Sequence, residues 1–121
     1  LEVQKIAVIG SGDIVQDILD NFISSLQLKP IISQKLRNYF ETKYGEAMDN
    51  YSAYKAASAL EIPILVIHDK NDLEVPVEAG MHIYQHVKNG DLMLTEGLGH
   101  RKILGDAHVI QKVIEFIKTN N

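Results

Sequence analysis

Three short apolar runs stand out from a chain in which apolar residues otherwise recur at helical spacing. The runs span residues 5–9, 62–68 and 91–95. Apolar runs of this length, closed by turn residues, are typical of strands that are buried on both faces of a parallel sheet. We therefore predict three such strands, and Pro63 is compatible with the second because it lies at its beginning.

Between and after these runs, apolar residues recur every three or four positions, which is the period of an amphipathic helix. Such patterns cover residues 13–28, 32–44, 52–60, 77–88 and 106–117. We expect Asp13 and Asp106 to cap the first and the last of these helices. Residues 97–105 are expected to form a loop. Strands that alternate with helices predict an α/β fold with parallel strands and right-handed crossovers.

Composition and charge exclude several classes of protein. The chain has 121 residues, of which 45% are hydrophobic and 23% charged, as expected for one soluble globular domain. The net charge is −4 and both signs are interspersed, which argues against a nucleic-acid partner. Neither a bilayer-spanning stretch nor a secretory signal pattern is found, so we expect a cytoplasmic protein with no membrane partner. The absence of cysteine excludes disulfides and a cysteine nucleophile.

The turn Gly10-Ser11-Gly12 follows the first strand and raises the alternative of a nucleotide-binding loop. A dinucleotide fingerprint needs a third glycine where this chain has Val15, and a phosphate-binding loop needs a Gly-Lys-Ser/Thr ending that is absent. Ser11 is also not a nucleophile elbow, because Ile9 and Asp13 occupy the positions of the required glycines. A simple tight turn is favoured.

Two spacings suggest a metal site, and neither is complete. Asp69, Asn71 and Leu73 have the spacing of a calcium loop, but leucine cannot ligate calcium. His82 and His86 lie one helical turn apart, but the glutamate that accompanies such a pair in zinc proteases is missing. We interpret the two histidines as a solvated helix face. No metal or cofactor is predicted.

Asp72 and His100 each follow a predicted parallel strand, in HDKNDLEVP and EGLGHRKIL respectively. Parallel strands end at the same rim of a sheet, which is where open α/β folds place their sites. A carboxylate at this rim can accept the Nδ1 proton of an imidazole and stabilise the imidazolium that forms in catalysis. The pair therefore predicts two members of a catalytic triad. The alternative is that Asp72 caps the next helix and His100 fills a turn.

The pattern IPILVIHDKNDLEVP, followed by a helix, a short strand, GLGH and a last amphipathic helix, resembles the carboxyl-terminal half of an α/β-hydrolase. The resemblance implies that Asp72 is the triad acid and His100 the triad histidine. It implies that residues 5–9, 62–68 and 91–95 are the sixth, seventh and eighth strands. Residues 1–12 and 61–121 would then belong to the hydrolase core, and residues 13–60 would form a helical cap or lid.

The chain departs from the family pattern in two respects. His68-Asp69 stands where the family commonly has His-Gly, so Asp69 and Glu74 add carboxylates near Asp72. No Gly-x-Ser-x-Gly motif occurs, and no oxyanion-hole loop can be placed. Since both lie ahead of the sixth strand in the family, we expect a fragment of a larger hydrolase that is inactive alone.

The resemblance implies that the fragment's parent is a serine hydrolase that acts on carboxylic esters or related acyl compounds. If the chain is a fragment, the strand at residues 5–9 has an open edge through which two copies could pair. Two rival hypotheses remain. The chain could be a non-enzymatic interaction module that binds a protein through residues 13–60, or a nucleotide-binding domain that uses its glycine turn.

Overall fold

The computed structural model describes residues 2–119, and its centre is a parallel sheet of three strands. They are β1 (Ile6–Ile9), β2 (Ile64–Asp69) and β3 (Gly90–Thr95). Their order in the sheet follows the sequence, so β2 lies in the middle and pairs on both sides. The predicted parallel arrangement of three strands is confirmed.

The three strands differ in burial. Every residue of β2 is buried, as predicted. The prediction of burial on both faces is wrong for β1 and β3, which are partly exposed. Each of these strands pairs only with β2 within the described residues, and Ala7 in β1 is exposed. The middle strand is thus the most buried of the three.

The described residues also form six helices. They are α1 (Val15–Ser25), α2 (Ile31–Tyr44), α3 (Ala53–Ser58), α4 (Val77–His86), α5 (Gly99–Lys102) and α6 (Ala107–Lys118). Short 3₁₀ turns occupy Met48–Tyr51 and Ile103–Gly105. In the part of the chain that the structure describes, no helix has the length and apolar character needed to cross a membrane.

The prediction of a loop at residues 97–105 is wrong, because this segment contains α5 and the second 3₁₀ turn. Gly97 and Gly99 do have left-handed backbone angles, with φ of +79° and +69°. The stretch after them has no glycine or proline until Gly105, so helical turns can form there. Ile103, which is buried, packs these turns onto the core.

One of the two predicted helix caps is confirmed. Asp106 accepts hydrogen bonds from the amides of His108 and Val109, at 3.0 and 3.1 Å, and caps α6. The prediction that Asp13 caps α1 is wrong, because Asp13 accepts a hydrogen bond from the Tyr54 amide of α3 instead. The first amide of α1 donates to the hydroxyl of Ser52, at 3.1 Å, so its acceptor comes from a distant segment.

The core consists of two apolar clusters, one on each face of the sheet. Ile64 and Val66 of β2 pack against Ile83 of α4 and Ala57 of α3 on one face. The alternate residues of β2 pack on the opposite face, against the second 3₁₀ turn and α6. Alternation along a strand sends successive side chains to opposite faces, so β2 is held from both sides. Its carboxyl end, where the candidate site begins, is therefore well fixed.

Candidate functional site

The carboxyl ends of β2 and β3 bring Asp72 and His100 together. Asp72 lies three residues beyond the end of β2, and His100 lies in α5, shortly after β3. The Nδ1 atom of His100 is 2.8 Å from Oδ2 of Asp72, which is a hydrogen bond. The contact expected from the strand order is present.

Asp72 is fixed by hydrogen bonds on both of its oxygens. Oδ1 accepts from the amides of Glu74 and Val75, at 2.9 and 2.8 Å, while Oδ2 faces His100. Burial raises the pKa of Asp72, but the Val75 amide, His100 and the Glu74 amide together lower it below its usual range. The carboxylate is therefore ionised at neutral pH. It does not cap α4, which begins two residues after Val75.

The tautomer of His100 follows from its hydrogen bond to Asp72. Because the ionised carboxylate of Asp72 can only accept, Nδ1 of His100 is the donor, and Nε2 is left to exchange protons with another group. The His100 side chain is 31% exposed, so Nε2 is not sealed in the core. An imidazole that is oriented by a buried carboxylate and partly open to solvent is suited to general base and general acid chemistry.

The glycine turn after β1 forms a wall of this site. A Cβ atom at Gly10 would lie 3.3 Å from Nδ1 of His100 and 3.7 Å from Oδ2 of Asp72. The backbone of Gly10 also has a φ of +62°, which favours glycine. Ser11 donates its hydroxyl hydrogen to the carbonyl of Gly12, at 2.8 Å. The turn is thus explained by close packing against the Asp–His pair.

His68, the fifth residue of β2, lies behind Asp72 and is completely buried. Its Nε2 donates to the Val75 carbonyl at 2.9 Å and lies 3.5 Å from Oδ2 of Asp72. Its Nδ1 has no hydrogen-bond partner and faces Gly80 of α4, where a Cβ atom would be only 2.6 Å away. This histidine connects the acid turn to the buried face of α4.

Asp69, the last residue of β2, is completely buried and points toward the segment that carries His100. Its carboxylate accepts four hydrogen bonds, from the Thr95 hydroxyl at 2.6 Å and from the amides of Leu98, Gly99 and Asn71 at 3.1, 2.9 and 2.9 Å. Burial raises the pKa of Asp69, but these hydrogen bonds outweigh it and lower the pKa to about 2. The second carboxylate noted in the sequence thus serves the loop before His100.

Glu74, the third carboxylate of the acidic turn, lies on the open side of His100. Its Oε2 atom is 3.7 Å from Nε2 of His100, and its Oε1 atom accepts a hydrogen bond from Nε of Arg101 at 3.0 Å. The side chains of Glu74 and Arg101 are 50% and 86% exposed. They form the mouth of the site.

A groove of about 1000 Å³ extends from this mouth between α1 and α4. Its apolar lining includes Ile14, which precedes α1, Ile18 and Phe22 of α1, and Ala79 and Met81 of α4. Its carboxylate-bearing residues are Asp13, Asp17, Asp20, Glu74 and Glu78. No lysine or arginine of the described residues lines it. The groove therefore offers an apolar surface in a negative field and adjoins His100 through Glu74.

A second Asp–His contact lies in the wall of this groove and was missed from the sequence. Asp13, which is buried, is in contact with Nδ1 of His82, and it accepts from the Tyr54 amide at 2.7 Å. The interpretation of His82 and His86 as a solvated face is correct only for His86. Within residues 2–119, no group of three or more potential ligands is placed to hold a metal ion. No local signal joins Asp13 to His82, because 69 residues separate them.

The comparisons with known proteins give a family and a shared fold. A family model described as TAP-like protein matches residues 41–121, which include Asp72 and His100. The solved structure of Rv0554 from Mycobacterium tuberculosis is 12% identical with a TM-score of 0.63, and the alignment covers 98% of this chain and 58% of that one. No curated protein matches the chain.

Two further solved structures are similar to the chain. An α/β hydrolase enzyme from the metagenome of sediments of the Mar Chica lagoon, Morocco, is 16% identical with a TM-score of 0.60, and the alignment covers 96% of this chain and 50% of that one. The esterase RhEst1 from Rhodococcus sp. ECU1013 is 23% identical with a TM-score of 0.52, and the coverages are 88% and 40%. The chain thus spans between 40% and 58% of the length of these structures.

Proposed function

Because the chain belongs to the TAP-like family of α/β-hydrolases, we propose that it supplies the acid and the histidine of a serine-hydrolase triad. The observation that carries this proposal is the 2.8 Å hydrogen bond between Asp72 and His100 at the carboxyl rim of the sheet. Asp72 orients the imidazole, and His100 is the group that moves protons. The reaction class, hydrolysis, rests on the family.

The chemistry follows from the two ring nitrogens. Nε2 of His100 takes the proton of a serine hydroxyl while the serine oxygen attacks the carbonyl carbon of the substrate. The imidazolium is stabilised by Asp72 and then protonates the leaving alcohol, so that an acyl-enzyme remains. A water molecule then attacks the acyl-enzyme, its proton passes to Nε2, and the same proton returns to the serine as the acid product leaves.

In this proposal the nucleophile and the oxyanion-hole donors come from residues outside these 121 positions. The sequence contains no Gly-x-Ser-x-Gly, and Ser11, which lies in the turn beside His100, donates its hydroxyl to its own neighbour. The solved structures that share the fold are about twice as long as this chain. The chain alone is therefore expected to lack hydrolase activity.

The groove between α1 and α4 is the proposed binding surface for the substrate, a carboxylic ester or a related acyl compound. Two features support it: its apolar lining suits an acyl or alkyl group, and its end at Glu74 lies beside His100. In this proposal residues 13–60 form the lid, and residues 1–12 and 61–121 belong to the core. One wall of the groove, α1, would then be part of the lid.

The experiment is made on the protein encoded by the complete reading frame that contains these residues. A fluorophosphonate probe, which labels activated serines, is expected to modify one serine that lies ahead of β1. Labelling and ester hydrolysis are expected to be lost in His100→Ala and strongly reduced in Asp72→Asn, by about 10⁴-fold when the histidine is left in the wrong tautomer. An Asp91→Asn variant, altered on the surface of β3, serves as the control. A start codon immediately before Leu1, or a labelled serine that is indifferent to His100, contradicts the proposal.

A further inference from the structure

We propose that Asp69 is a positioning residue for His100, and that its buried carboxylate sets the location of the imidazole. This inference rests on the proposed function of the Asp72–His100 pair. Asp69 itself touches neither the imidazole nor the groove, and it acts through the backbone that precedes His100.

The Asp69 carboxylate binds the backbone immediately before His100. Leu98 and Gly99 are the two residues immediately before His100, and their amides donate to the Asp69 carboxylate at 3.1 and 2.9 Å. The left-handed backbone of Gly99, with a φ of +69°, belongs to a residue that would otherwise have great conformational freedom. The carboxylate therefore restrains the backbone at the point where a small rotation would move the imidazole most.

Asp69 also joins both halves of the site. The carbonyl of Asp69 accepts from the Asp72 amide at 3.2 Å, so the acid turn starts on the same residue. Its carboxylate also accepts from the Thr95 hydroxyl at the end of β3. Asp69 thus bonds to the acid turn through its backbone and to the histidine segment through its side chain. Both connections therefore start from the most buried strand of the sheet.

The donors around the Asp69 side chain require a carboxylate. The Asp69 carboxylate accepts hydrogen bonds from four donors, two on each oxygen. An asparagine at this position has the same shape but only one acceptor oxygen, so its amide nitrogen would face two donors. Buried donors that are left without an acceptor are costly, and the segment is then expected to rearrange. A glycine would leave all four donors without this acceptor.

The inference is tested in the 121-residue chain itself by nitrogen NMR, which distinguishes the Nδ1–H and Nε2–H tautomers of a neutral histidine. The unmodified chain is expected to show the Nδ1–H form of His100, because Asp72 accepts from that atom. In Asp69→Asn, the ratio of the Nδ1–H to the Nε2–H form is expected to fall by about tenfold, as when a hydrogen bond to a charged acceptor is lost. The spectra are recorded at alkaline pH, where neutral imidazole predominates.

An Asp106→Ala variant is the matched control, because it also removes a carboxylate that accepts two backbone amides, at the start of α6. It is expected to lower stability without changing the tautomer of His100. Should Asp69→Asn fail to fold, Thr95→Val removes one donor to Asp69 and keeps the carboxylate. Its tautomer ratio is expected to shift in the same direction, by a smaller factor.

A folded Asp69→Asn chain that keeps the Nδ1–H form of His100 overturns the inference. If Asp69→Asn does not fold, a folded Thr95→Val chain with an unchanged tautomer ratio overturns it. A shift of the same size in Asp106→Ala also overturns it, because any loss of stability would then suffice. These readouts do not depend on hydrolysis. They can fail while the fluorophosphonate experiment succeeds, and the reverse is equally possible.

Discussion

His100 and Asp72 are 28 residues apart in the chain, yet Nδ1 of the histidine lies 2.8 Å from Oδ2 of the aspartate. The bond joins the ends of two neighbouring parallel strands, and it is buried on the aspartate side and partly open on the histidine side. This arrangement can be perturbed at separate points: at a carboxylate charge, at the packing of Gly10 against the pair, or at the hydrogen bonds that support it.

The buried charge of Asp69 predicts a pH dependence of stability. Its pKa is about 2 in the folded chain, below the ordinary value of 3.8. The folded state therefore binds the proton more weakly than the unfolded state, so this carboxylate stabilises the fold above about pH 4, and the contribution is lost as the pH falls toward 2. Urea unfolding of the chain and of Asp69→Asn is expected to show a difference in free energy that is largest near neutral pH and shrinks below pH 4. A difference that does not change with pH would falsify the assignment.

The close packing of Gly10 against His100 predicts that Gly10→Ala has two separable effects. Gly10→Ala places a residue with a Cβ at a φ of +62° and brings that Cβ to 3.3 Å from His100. We expect a loss of about 1–2 kcal/mol in the free energy of unfolding and a displacement of the His100 resonances. Gly45→Ala is the control, because Gly45 has a φ of +68° but nothing within 4 Å of the added atom. It is expected to lose similar stability and to leave the His100 spectrum unchanged. Equal spectral changes in both variants would count against the packing of Gly10 on the pair.

The contact between Gly80 and His68 predicts a destabilising alanine inside a helix. Alanine usually stabilises a helix relative to glycine by about 1 kcal/mol. At Gly80, however, the added Cβ would be 2.6 Å from Nδ1 of His68, which is completely buried and hydrogen-bonded to the Val75 carbonyl through Nε2. We expect Gly80→Ala to lower the free energy of unfolding by about 1–3 kcal/mol. Gly105→Ala, where nothing lies within 4 Å, is expected to be nearly neutral, and thermal or urea unfolding of the two variants compares them. A stabilised Gly80→Ala chain would show that His68 has room to shift.

If the proposed hydrolase function holds, the charge of the groove predicts a preference among ester substrates of the complete protein. Five carboxylate-bearing residues line it, and no lysine or arginine of the described chain does. A neutral acyl ester is therefore expected to have a kcat/KM about tenfold higher than an ester of the same length with a terminal carboxylate. The difference is expected to shrink in high salt, which screens charges near the surface. Equal rates, or a salt-independent difference, would place substrate binding elsewhere.

The sequence predicted the Asp72–His100 contact because it depends on few physical rules. Parallel strands with crossover connections place successive carboxyl ends at one rim, and the residues just beyond those ends are read directly from the chain. The same local reasoning identified the cap at Asp106, and the family resemblance is confirmed. Such features require only the type and order of the elements.

The parts that the sequence did not predict depend on register and packing. The carboxylate of Asp69 reaches Leu98 and Gly99 because Asp69 pairs with Thr95 across the sheet, a register that composition does not specify. Asp13 is read locally as a helix cap, but the approach of α3 offers it the Tyr54 amide instead. Asp13 thus exchanges a local partner for a distant one, whereas Asp69 keeps its local hydrogen bond from the Asn71 amide and adds distant ones.

The hydrogen bonds that hold the Asp–His pair all arise within residues 68–100 of this chain. If the proposed function holds, Asp72 and His100 therefore form half of a site whose geometry does not depend on the half that bears the serine. In a hydrolase built in this way, the two halves could be made as separate polypeptides and still restore activity on mixing. The half that bears the serine would have to dock beside β1, whose outer edge pairs with no strand of the described chain. Genetic complementation between the two pieces would then report on how far His100 is positioned before the half that bears the serine docks.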